Sequence, residues 1–234
     1  MLEGKNILIV GASSGIGYAL AQRASAAGAN LYTACRNTPS GINSTHIALD
    51  VSNLSNELDA LPDVLHGIAY CPGSITLKPF KALKVDDFLS DFQINVLGAV
   101  SVLQQCYGRL RKAKGASVVL FSTVAVQTGM NFHASIAVAK GGIEALGRTL
   151  AAEFAGAGIR VNVLAPSLTD TPLAEKLLAS DEKRAASAKR HPLGRVGQPR
   201  DLAAMAAFLF SDDASWMTGQ VIGIDGGMAA TRSL

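Results

Sequence analysis

One heptapeptide near the N-terminus constrains this chain more than any other feature: Gly11-Ala12-Ser13-Ser14-Gly15-Ile16-Gly17. It follows the apolar run at 6–10 directly and opens a helical pattern directly. Glycines at these positions let the backbone turn tightly and approach a ligand closely, and a helix starting there offers unpaired N–H groups to whatever fills the turn. Phosphate is the group such a turn suits. A glycine triplet alone would also serve as a plain turn. Its position between strand and helix is what predicts dinucleotide binding.

The rest of the chain repeats the same alternation. Short β-branched apolar runs lie at 6–10, 30–34, 45–49, 67–71, 117–121, 160–164 and 221–224, and helical patterns at 15–27, 86–113, 134–155 and 200–210. Several runs are apolar throughout, which suits strands covered on both faces. Strand–helix alternation with tight turns implies right-handed parallel crossovers. The expectation is an α/β, doubly wound Rossmann fold: a seven-stranded parallel sheet flanked by helices. All 234 residues fit one domain, 1–234, long enough to bury a sizeable core. The long irregular stretch at 166–199 supplies a candidate substrate lid at about 167–198, beyond the carboxyl ends of the strands.

Composition narrows the partners. Net charge is +3, and the basic residues are scattered except for Arg109, Arg111, Lys112 and Lys114, a solvated helix end rather than a nucleic-acid groove. No apolar run approaches the roughly 18 residues of a membrane span. Charged residues make up 17%, below the usual share of about 25%, so part of the surface is expected to lie against a subunit partner. Met1-Leu2-Glu3-Gly4-Lys5 runs straight into a strand and reads as no signal peptide. Cys35, Cys71 and Cys106 are too widely spaced for a zinc pattern and read as buried thiols of a cytoplasmic protein.

The second strand ends in Ala34-Cys35-Arg36-Asn37, with no acid to accept the ribose 2′-hydroxyl of NAD. Arg36 instead suits the 2′-phosphate of NADP(H), although a surface arginine in a turn would look the same. Asp50-Val51 closes the third strand, where the carboxylate suits the adenine amino group or starts the next helix.

Five ordered motifs now resemble the short-chain dehydrogenase/reductase family. They are the 11–17 glycine turn; Asn95-Val96-x-Gly98; Arg160-Val161-Asn162 with Pro166; Pro192-Leu193-Gly194-Arg195-x-Gly197-x-Pro199; and Thr218-Gly219-Gln220 through Asp225-Gly226-Gly227. The resemblance implies an oxidoreductase acting on a small molecule as a homodimer or homotetramer, packed through the 86–113 and 134–155 helices. It implies that Lys140 and Thr171 hold the nicotinamide half, beside Gly73 and Pro166, and that Asn95 shapes its helix and a water path. It also implies a serine that holds the substrate oxygen and a tyrosine in Tyr-x-x-x-Lys that protonates it. Here Thr123 stands at the serine position with Ser122 beside it, and Ile136 stands at the tyrosine position. Tyr70-Cys71-Pro72-Gly73 replaces the family's Asn-Asn-Ala-Gly, and Ser167 its glycine after Pro166.

Ile136 has no proton to give. The four tyrosines, Tyr18, Tyr32, Tyr70 and Tyr107, all precede the Lys140 helix, and Tyr107 reads as core. Loss of a positioned acid typically costs about 10²–10⁴ in rate. His133 precedes Lys140 by seven positions, roughly two helical turns, so the two share a face. An imidazole, with an ordinary pKa of about 6.5, is a candidate donor; a plain loop histidine is the alternative. His191 is a weaker candidate, and His46 and His66 look structural. Bacterial enoyl-acyl carrier protein reductases, divergent relatives, carry their tyrosine at the place His133 holds here. They and mitochondrial-type dienoyl-CoA reductases reduce carbon–carbon double bonds, although the glycine turn differs from the longer enoyl-reductase loop. The leading reading is therefore an NADP(H)-dependent reductase of an activated or α,β-unsaturated carbonyl, with proton delivery from His133 or water. Its rivals are an NADPH-binding sensor or assembly subunit with little catalysis, and an ordinary ketone reductase carrying Ile136 as a substitution.

Overall fold

The computed structural model describes residues 1–53 and 58–231. Seven strands, β1 (Asn6–Val10), β2 (Asn30–Cys35), β3 (Thr45–Ala48), β4 (Gly67–Tyr70), β5 (Ser117–Phe121), β6 (Arg160–Pro166) and β7 (Val221–Ile224), form one sheet in the order β3-β2-β1-β4-β5-β6-β7. Every pairing is parallel. This is the doubly wound Rossmann arrangement, with the order reversing at β1 and β4.

Alternate strand residues feed two cores. Leu8, Val10, Ile68, Val118 and Leu120 face one way, and Ile7, Ile9, Ala69, Val119 and Phe121 the other. Helices α1 (Gly15–Ala26) and α7 (Pro199–Phe210) cover the second face; α3 (Gly98–Lys112) and α5 (Ala134–Phe154) build up the first, and α2 (Val85–Phe92) packs on α5. A one-turn helix α4 (Ala125–Thr128) follows β5.

Two sequence expectations change. The 86–113 pattern is not one helix: a π turn, Gln93–Leu97, separates α2 from α3. The cause is Asn95, whose Nδ2 donates to the Asp91 carbonyl at 2.8 Å and so competes for an acceptor the helix ladder would use. The 166–199 stretch is also more ordered than its composition suggests. It holds a 3₁₀ helix, Pro172–Leu177, and α6 (Asp181–Ala188), whose Ser180 cap accepts from the Lys183 amide at 3.3 Å. Arg184 grips Asp170 with two bonds of 2.7 and 3.2 Å. No helix among the described residues is long and apolar enough to cross a membrane.

Candidate active site

The glycine turn brings α1 hard against β1. A Cβ on Gly17 would run into the Gly11 carbonyl oxygen, and one on Gly11 would lie 2.9 Å from the Pro72 nitrogen. Gly11 and Gly15 also take positive φ of 79° and 56°, a conformation glycine adopts without strain. The result is a groove of about 340 Å³ along the carboxyl ends of the strands. Ser13, Ser14, Gly15 and Ile16 wall one side; Arg36 and the Asp50-Val51 corner close one end, and Gly73 and Thr171 the other. Asp50 does not start a helix. Its carboxylate accepts from the Ser52 amide (3.0 Å) and hydroxyl (2.7 Å), which hold its pKa below the usual range. The glycine cradle and the backbone amides at a helix start suit the phosphates of a nicotinamide dinucleotide, and Arg36 stands exposed on the groove.

A second chamber of about 280 Å³ adjoins the groove. The two share Ile16, Cys71, Gly73, Thr171 and Leu173. Leu77, Leu168 and Leu177 make the chamber largely apolar, while Thr123, His133 and Lys140 bring polar atoms to it. Pro166 lies on this chamber rather than on the groove.

Lys140 extends from the middle of α5 and donates to the Phe121 carbonyl at 2.8 Å. Burial pulls its pKa down to about 8, while Cys71 and then Asp91 pull it up. Of the two candidate hydroxyls, the structure separates one from the other. Ser122 is 3% exposed and directs its Oγ at Glu144 Oε1 (2.8 Å) and the Lys140 carbonyl (3.3 Å), inside the protein. Thr123 accepts only a long bond, 3.3 Å, from the Ala125 amide. Asn95 is buried; its Nδ2 is used twice, and its Oδ1 has no hydrogen-bond partner among the described residues.

Ile136 is 3% exposed and lines the chamber. No tyrosine lines either cavity. Tyr70 donates to the Ile94 carbonyl at 2.6 Å, with burial raising its pKa, and Tyr107 stacks on Phe154 with ring centroids 4.8 Å apart. His133 is the N-cap residue of α5, outside the helix proper, and lines the chamber. Its Nδ1 lies 2.7 Å from the Asn131 carbonyl, an acceptor, so Nδ1 carries a proton and the neutral ring leaves Nε2 bare. His191 is structural, held by Ser167 Oγ and the Ser187 carbonyl at 2.8 Å each. His66 Nδ1 accepts from the Asn6 amide at 3.0 Å.

Cys71 corrects the reading of three buried thiols. Cys106 is buried, Cys35 is buried with an edge on the groove, and Cys71 is only partly covered, on the wall the two cavities share, where desolvation still pushes its pKa up to about 12. Cys71, Leu173, Ser74 and Asp91 are the neighbours that sequence reasoning missed. The one signal for them was polar Asp91 four positions before Asn95, on the same helical face.

A family model described as Enoyl-(Acyl carrier protein) reductase matches residues 11–229. The chain is 32% identical to a 3-oxoacyl-(acyl-carrier-protein) reductase of Thermotoga maritima, over 97% of this chain and 98% of that one. It is equally 32% identical to the 3beta-hydroxysteroid dehydrogenase 1 of Eggerthella lenta, over 97% and 94%. Among solved structures, a putative 2-deoxy-d-gluconate 3-dehydrogenase from Agrobacterium tumefaciens with bound NADP superposes with a TM-score of 0.89 at 28% identity, over 98% of each chain. Sheet order, glycine groove, Lys140 helix and these matches agree, and the chain belongs to the short-chain dehydrogenase/reductase family of oxidoreductases.

Proposed function

We propose that this protein is an NADP(H)-dependent reductase of an activated carbonyl or an α,β-unsaturated carbonyl, in which something other than a tyrosine delivers the proton. The observation that carries the reading is the junction of the two cavities: a groove fit for a dinucleotide opens onto an apolar chamber past Lys140 and Thr123. When bound, NADPH supplies the hydride. Gly11, Ser13, Ser14, Gly15, Ile16 and Gly17 hold its phosphates, Arg36 the 2′-phosphate, and Asp50 and Val51 flank the adenine. Gly73, Pro166, Thr171 and the Lys140 ammonium border the nicotinamide half. Thr123 donates to the substrate oxygen, with Ser122 spent on Glu144, and Asn95 fixes the helix break beside them. His133 reaches the chamber as the proton donor only as imidazolium, because its neutral ring has no free N–H. Conjugate reduction suits such a site, since the enolate needs oxyanion stabilisation first and a proton later. The described relatives span both substrate classes: the family model is named for an enoyl reductase and the Thermotoga relative for a 3-oxoacyl reductase.

The 167–198 segment is the lid of the chamber, and the protein works as a dimer or tetramer joined through α2, α3 and α5. The test is NADPH oxidation with a matched ketone and enone, and Lys140→Ala as control. Enone turnover above the control supports the reading; equal turnover in the control sinks the Lys140 assignment. Ile136 favours one second reading, a protein that binds NADPH without turnover, for which silence on both substrates with NADPH still bound is the expected result. In the other rival, an ordinary ketone reductase carrying Ile136 as a substitution, Ile136→Tyr raises ketone reduction by about 10²–10⁴.

A further inference from the structure

One buried charge has no part in the chemistry above. Asp91 on α2 is fully buried, 0% exposed. Its carboxylate accepts from Ser74 Oγ and Ser135 Oγ, each at 2.6 Å, and from Thr76 Oγ1 at 3.4 Å. Hydroxyls that all donate inward suit a group that only accepts. Among the described residues no Lys, Arg or His forms an ion pair with it. A buried carboxylate is costly unless something nearby compensates it.

The compensation lies across the cavity wall. Ser74 lines the apolar chamber. Asn95 Nδ2 donates both to Ser74 Oγ, at 3.1 Å, and to the carbonyl of Asp91 itself, at 2.8 Å. The other end of that amide, Oδ1, is buried without a hydrogen-bond partner on the side where Lys140 lies: the point a Cβ on Gly73 would occupy is 3.2 Å from Asn95 Oδ1 and 3.7 Å from Lys140 Nζ. The hydrogen-bonded set of Asp91, Ser74 and Asn95 therefore ends beside the ammonium, with no hydrogen bond closing the gap among the described residues.

We propose that Asp91 is a positioning residue of this active site: through Ser74 and Asn95 it fixes the polar wall of the chamber, and its charge keeps Lys140 an ammonium where Ile136 offers no phenolate. The inference rests on Lys140 being the working cation of the function proposed above. Other titratable groups around Lys140 are Cys71 at the end of β4, His133 at the start of α5, and Glu144 one turn further along α5. Glu144 is engaged by Ser122 and lies 3.8 Å from Arg148, so Asp91 is the carboxylate left to face the lysine from another element.

The test is a titration of the intact protein labelled with ¹³C at lysine Cε, followed by NMR from neutral to alkaline pH, with the Lys140 signal identified by its loss in Lys140→Met. Asp91→Asn keeps the size while removing the charge, the hydroxyl on its amide-nitrogen side turning to accept instead of donate. The expected result is a Lys140 midpoint lower by roughly half a pH unit or more than in the wild type. Asp91→Ser, smaller and neutral, takes its place if the amide variant does not fold, with the same expectation. A folded variant with an unchanged midpoint overturns the proposal, because a purely structural Asp91 would alter stability and leave that midpoint alone. The readout needs no substrate. Failure of the reductase reading shows in the Lys140→Ala turnover control, so the two can fail separately.

Discussion

Ile136 and Lys140 stand one helical turn apart on α5, and the chemistry turns on what each can do with a proton. Isoleucine can do nothing, so the ammonium state of Lys140 becomes the group whose loss is felt. With its pKa near 8, turnover that depends on the charge falls as pH rises past about 8. A pH profile of kcat/KM for NADPH oxidation checks this; a profile flat through about pH 8 would overturn it. The same burial has a stability consequence. Lys140 is depressed from 10.5 to about 8 in the folded state, so the unfolded chain holds its proton more tightly. The cost of burying the ammonium is full below pH 8 and gone once both states are neutral. The wild type should therefore gain stability relative to Lys140→Met as pH climbs from about 8 toward 10.5; calorimetry that showed it losing ground over that range instead would contradict the sign.

The break between α2 and α3 is the element on which the site depends. It exists because Asn95 competes for the Asp91 carbonyl, and it is braced from below by Tyr70 on β4, which donates to Ile94 inside the π turn. Gly98 opens α3 where that phenol arrives, and a Cβ there would collide with the Tyr70 hydroxyl. Gly98→Ala is therefore expected to destabilise the protein by about 1–3 kcal/mol. In a Tyr70→Phe background the added cost should be smaller, because the hydroxyl is what the methyl meets. Equal costs in the two backgrounds of a double-mutant cycle would show that the contact is not the cause.

At the scale of the molecule, Val85 and Leu89 on α2 and Val138 on α5 are more than half exposed on helices that pack together. In the proposed dimer or tetramer, that apolar face on a chain only 17% charged is the seam for a second copy. Leu89→Arg should yield a lighter species by sedimentation, and an unchanged mass would place the seam elsewhere. The architecture itself was legible without coordinates. Strand runs, helix patterns and the glycine turn are signals contained within a few to twenty residues, and parallel crossovers leave few ways to assemble them. The sequence also showed that position 136 has no phenol; that His133 stands just outside α5, at its N-cap, beside the chamber Lys140 also lines, came only from the structure. The sequence did not show which neighbouring hydroxyl is free, since Ser122 is taken by Glu144, 22 residues away. Nor did it show that Asp91 is buried, since that rests on Ser135, 44 residues on, and Ser74, 17 residues back. Local patterns determine the elements because each is set by neighbours in the chain. The wall of the active site was decided only by the tertiary structure, because its hydrogen bonds join residues that meet only when the sheet and helices have packed.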